Sequence, residues 1–113
     1  MKILDVNVHL DSWRTGTRDG IMVQLFNNKL TDVVPALADK FVRFDYPLNK
    51  TIKLDPSFPA LPTVEDFINF VVNSYRDIYK NEPNNIWGHG FGDLFLEGVS
   101  LRNDGKIELN MGS

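Results

Sequence analysis

Cysteine is absent from this 113-residue chain. That excludes disulfide staples, thiolate zinc sites and cysteine nucleophiles together. Histidine is scarce: His9 and His89 are the only two, too few for a histidine-rich metal site. No apolar run approaches the ~18 residues a membrane span needs, and no signal-peptide pattern opens the chain. Repeats, low-complexity tracts and separating linkers are also missing. The expectation is one soluble, cytoplasmic domain over residues 1–113, with no cofactor, no metal and no membrane contact.

What is present is ordinary for a globular domain. The chain is 42% hydrophobic and 24% charged, and a chain of this size buries roughly two-thirds of its unfolded surface without staples. The charge is uneven. Residues 1–62 hold eight Lys/Arg and seven Asp/Glu, a net of +1, and residues 63–113 hold four and eight, a net of −4. An acidic half disfavours direct nucleic-acid binding, which needs clustered cations. It suits a basic protein partner, whose approach it would steer, and it also serves solubility.

Residues 3–10 alternate, with Leu4, Val6, Val8 and Leu10 on one face and Asp5, Asn7 and His9 on the other, as in a half-buried strand. Residues 11–20 are polar, carry Gly16 and Gly20, and read as a hairpin loop leading to a return strand over 21–27. Asp32 reads as an N-cap with Pro35 in the first turn. It would open a helix with Val33, Val34, Leu37, Phe41 and Phe44 on one side. Residues 45–62 hold four prolines and leave room only for a short edge strand at Thr51–Leu54. Thr63 and Asp66 form a capping-box start for a second helix. Its apolar arc contains Val64, Phe67, Ile68, Val71, Val72, Tyr75, Ile78 and Tyr79. Phe70 falls beyond that arc, beside Asp66 and Asp77. In the C-terminal hairpin, a three-residue Asn103-Asp104-Gly105 loop pairs Leu101 with Ile107 and Val99 with Leu109. A two-residue loop would pair apolar with polar side chains. A bulge near Glu97-Gly98 restores the phase of Leu94 and Leu96. The fold class expected is α+β: an antiparallel sheet of four to five strands with two helices on one face. The expected order is strand–strand–helix–(strand)–helix–strand–strand.

Candidate sites are few. Trp13, near Arg14 and Arg18, reads either as a cap on the core or as an aromatic anchor for a partner. Phe70 either tucks under the proline-rich crossover or stands as an exposed aromatic ringed by Glu65, Asp66 and Asp77. His89 and Asp93, in WGHGFGD (87–93), could in principle do acid–base work. The alternatives for this segment are a tight structural connection and a partner contact. No phosphate-loop pattern, nucleophile elbow or calcium-loop spacing accompanies them.

The segment 86–113 contains Trp87-Gly88-His89-Gly90-Phe91, then Asp93-Leu94, Glu97-Gly98, the Asp104-Gly105 turn and a final Met111-Gly112-Ser113. This quarter of the chain resembles the C-terminal segment of small immunity proteins encoded beside bacterial polymorphic toxins. Those include the immunity proteins of contact-dependent growth inhibition. The resemblance implies a non-enzymatic toxin inhibitor that neutralises a cognate toxin, often a nuclease, whose cationic substrate groove an acidic protein can occupy; a monomer or weak dimer is expected. The contact residues expected on this reading are Trp13, Glu65, Asp66, Phe70, Asp77, Asp93 and Glu97. Two other readings stand beside it. One is a small ligand-binding or enzymatic domain using His89 and Asp93. The other is a self-associating domain using Met22, Phe26 and Phe95 on the outer sheet face.

Overall fold

The computed structural model describes every residue except Arg18 and Asp19. The α+β class holds, around one sheet of six strands rather than four to five. The strands are β1 (Lys2–His9), β2 (Val23–Leu25), β3 (Val42–Phe44), β4 (Ile52–Leu54), β5 (Phe95–Leu101) and β6 (Ile107–Gly112), and the helices are α1 (Leu10–Thr15) and α2 (Val64–Asn81). The spatial order is β2-β1-β5-β6-β3-β4. Neighbours are antiparallel except β3 and β6, which run parallel, so the expectation of a purely antiparallel sheet is corrected. The directions make β4 parallel to β5, and parallel strands need a crossover connection. Helix α2 supplies it. At about 27 Å long, it carries the chain back past the positions of β3 and β6.

The alternation in β1 is real: Leu4, Val6 and Val8 are fully buried and Leu10 follows them inward. The stretch after it is not all loop. His9 caps α1, its Nδ1 accepting the Ser12 backbone N–H at 3.1 Å, and Gly16 closes the helix by donating its N–H to the Trp13 carbonyl. The stop signal was legible in Gly16. The start was not, because His is a rare cap. Accepting at Nδ1 places the proton on Nε2, which donates to the Gly92 carbonyl at 2.6 Å. His9 is therefore half-buried and tied on both sides rather than simply exposed. Arg18, expected beside Trp13, lies outside the described residues.

The helix expected after Asp32 does not form. The Asp32 carboxylate accepts the Lys29 backbone N–H at 2.8 Å in a local turn, and only a short 3-10 turn, Pro35–Leu37, follows. Beyond it the period is two rather than 3.6. Val42 and Phe44 are buried with Arg43 between them, while Phe41 and Val33, assigned to the helix's core side, are exposed. The backbone around Asp32 serves α2 instead. The carbonyls of Asp32 and Leu30 accept the N–H groups of Val64 and Glu65, two of the donors that a helix start leaves without intrahelical partners. The rest of that start is the expected capping box of Thr63 and Asp66.

Both helices share the core with the β1 face bearing Leu4, Val6 and Val8. The hairpin has the expected register: Leu101 opposes Ile107, Val99 opposes Leu109, and the shift falls between Leu96 and Gly98. Gly105 takes φ +84° in the turn. At Gly98 a Cβ would stand 3.0 Å from the Asn110 and Lys2 side chains and 3.3 Å from the Leu4 carbonyl, so any larger residue in the bulge must push these neighbours aside.

Two substitutions test this register. Val99→Asp places an unpaired charge in the core and should cost at least about 3 kcal/mol, while Ser100→Asp, one residue along, should cost under about 1 kcal/mol. Gly105→Ala meets open space and only the φ penalty, so about 1 kcal/mol is expected. Urea denaturation midpoints check all three, and equal costs at positions 99 and 100 would refute the facing assigned here.

Candidate partner-binding surface

The expected contact residues do not form one patch. Around α2, Asp66 and Asp77 lie within about 40° and 20° of Phe70, whereas Glu65 lies about 140° away. Tyr79 is about 180° from Phe70, and it is Tyr79 that Asp93 accompanies. Phe91 packs edge-on against the Tyr79 ring at 5.8 Å, and the Asp93 charge helps raise the Tyr79 pKa. Asp93 thus belongs to the opposite flank of the helix. Glu97 is the exposed bulge residue between the core positions Leu96 and Val99, with its carboxylate lying over Gly112 on the sheet's other face. The juxtaposition of Asp93 and Glu97 with the α2 carboxylates is therefore corrected.

Trp13 caps the core and is too buried to anchor a partner. Its ring is 2% exposed and its indole N–H donates to Asn69 Oδ1 at 2.7 Å, joining α1 to α2. Phe70 is half-buried, with centroids 6.0 Å from both Phe44 and Phe58 and 6.3 Å from Phe67. It tucks under the crossover while one side still lines an open groove of about 330 Å³ with Phe58, Pro59, Leu61, Asp66 and Asn69.

What sequence reasoning missed is which side chains of the proline-rich segment 45–62 stay exposed. Residues 58–61 form a ridge. On one side is the Phe70 groove, and on the other a second groove of about 240 Å³ bounded by Ala38 and Asp39. Leu61 is 56% exposed, and Val33, 53% exposed, joins the same region through its bridge to Thr63. A carboxylate rims each groove, Asp66 at the first and Asp39 at the second; among the described residues no Lys or Arg lines the first, and Lys40 Nζ reaches the Ala38 carbonyl at 3.5 Å beside the second. The four prolines were a signal for an ordered, chain-reversing segment, but proline content does not say which apolar side chains stay outside.

His89 and Asp93 do not act on each other. The Asp93 carboxylate accepts the Gly90 N–H at 3.1 Å. His89 Nε2 lies 2.8 Å from the Tyr46 hydroxyl, which is 2.7 Å from Ser113 Oγ. The Trp87 ring packs edge-on against both Tyr46 and His89. Tyr79 donates to the His89 carbonyl at 2.9 Å, and Tyr75 donates to the Tyr46 carbonyl at 2.7 Å. The aromatic-glycine run is thereby fastened to α2 as a structural joint with Trp87 half in solvent. Of the outer-face residues considered for self-association, Phe26 is exposed and Met22 and Phe95 are half-buried. Among the described residues, no group of three His, Cys, Asp or Glu is placed to hold a metal ion. Among the described residues, no helix is long and apolar enough to cross a membrane.

No protein family, curated protein or solved structure matches this chain.

The tyrosines predict an alkaline weakness. Burial, then the Asp93 charge, pushes the Tyr79 hydroxyl up to about 12 from 10.0, and burial followed by the Asp45 charge raises Tyr75 as well. Above the unfolded value of about 10 the unfolded chain loses these protons first, so stability should fall as pH rises from about 10 towards 12. Tyr79→Phe should flatten that fall. Denaturant midpoints across this range are the measurement, and an unchanged slope in the variant would exclude Tyr79 as a cause.

Proposed function

We propose that this protein is an immunity protein: it binds and neutralises a basic toxin domain, a nuclease by preference, of the kind encoded beside bacterial immunity proteins. One observation carries the reading beyond the resemblance. The ridge at residues 58–61 exposes apolar side chains between two grooves rimmed by Asp39 and Asp66; among the described residues no Lys or Arg lines the Phe70 groove, while Lys40 Nζ lies 3.5 Å from the Ala38 carbonyl at the second. An apolar centre with an acidic rim fits a cationic protein surface, since the charges steer encounter and the apolar groups hold the complex once formed. The acidic α2 flank of Asp66 and Asp77 extends the same field. The His89–Asp93 chemistry has no comparable support, because the two side chains serve different partners.

The two contributions should separate kinetically. Asp77→Lys, at a position outside the Phe70 groove, should slow association with the product of the adjacent upstream gene and weaken its salt dependence, because exposed charges act mainly on encounter. Leu61→Ala should instead speed dissociation, at a cost of roughly 1–3 kcal/mol if the ridge sits at the centre of the contact. Surface-resonance kinetics at two salt concentrations measure both. If folded variants bind with unchanged rates, the partner engages another face; if the wild-type protein does not bind that product or protect against it, the immunity reading fails.

A further inference from the structure

We propose that the groove between α2 and residues 56–61 seats an arginine side chain of the protein partner. The inference rests on the neutralising role and names the group the partner presents. The floor is aromatic: Phe70 and Phe58 meet at 6.0 Å and an interplanar angle of 70°, and both line the groove. The rim is a carboxylate. Asp66 Oδ2 accepts the Thr63 N–H at 3.0 Å, which uses one of the roughly four lone-pair sites a carboxylate offers. Its charge has no Lys or Arg opposite it in the groove lining among the described residues. At about 330 Å³ the groove is at the low end of small-ligand sites, room for one long side chain.

These features select among occupants. An aliphatic side chain would use the rings and leave the carboxylate unused. A lysine ammonium would use the carboxylate, but it is compact and strongly hydrated. A guanidinium is planar and weakly hydrated, so it lies against an aromatic face while its N–H groups reach a carboxylate at the edge. The second groove lacks this combination, since of the α2-side groups it contains neither Phe70 nor Asp66.

The test separates the seat from the function. N-acetyl-arginine amide, with its lysine counterpart and the neutral isostere N-acetyl-citrulline amide, is titrated into the purified protein while the Asn69 side-chain amide and Phe70 ring are followed by NMR. Saturable shifts at both reporters are expected with arginine, weaker ones with lysine and none with citrulline. Asp66→Asn keeps the cap's oxygen and Phe70→Leu keeps the apolar volume, and each should weaken the arginine response roughly threefold to tenfold. An equal response to citrulline, or an arginine response indifferent to both variants, overturns the seat. The upstream gene product provides the second arm. If both variants bind it as tightly as the wild type, the seat is overturned and the neutralising function stands. If arginine occupies the groove and that product does not bind, the seat stands and the immunity reading falls.

Discussion

Helix α2 must bury one stripe of its surface, and the rest of the molecule is arranged around that requirement. Its buried positions run from Val64 through Phe67, Ile68, Val71, Val72 and Tyr75 to Ile78. A stripe this wide and apolar needs a sheet beneath it, since an isolated helix with the same composition would expose all of it. Burying a single such side chain contributes roughly 1.5–3 kcal/mol, which outweighs any one cap or ion pair here. The ion pairs in the structure are partly exposed, such as Lys2–Asp5 and Arg14–Asp11, and surface pairs of this kind contribute little.

The same helix divides the surface. One flank faces β3, β4 and the crossover, where Phe70 meets Phe44 and Phe58. The other faces α1 and the aromatic-glycine segment, through Asn69 with Trp13 and Tyr79 with Phe91. On the second flank Trp13 and Tyr79 each donate a hydrogen bond, the usual condition for burying such groups, while Trp87 stays half in solvent. On the first flank the crossover covers Phe70 only in part. The result is an asymmetry, with one flank packed against α1 and the aromatic-glycine segment and the other grooved and acidic.

Much of this was legible in the residues. The β1 alternation, the α2 stripe with its capping box, the short edge strand near residues 52–54 and the hairpin register all follow from periodicity and turn chemistry. Each is a local rule acting over fewer than about twenty residues. Misreadings came where two local rules competed. Val33, Val34, Leu37, Phe41 and Phe44 fit a helical period, but Val42 and Phe44 also fit a strand, and the ladders to β4 and β6 decided between them. His9 reads as an outward strand residue until Ser12 and Gly92 are seen to bracket it.

The candidate site divides in the same way. From the sequence alone come the off-stripe position of Phe70 and its company of Asp66 and Asp77, because both are fixed by angle along one helix. Tertiary structure alone decided that Asp93 and Glu97 stand elsewhere, that Trp13 is interior, and that residues 58–61 rise as a ridge beside Asp39 and Asp66. Those relations join segments far apart in the chain. The parallel pairing of β3 with β6 and the crossing of α2 set them, and no periodicity within either segment encodes which distant surface it will meet.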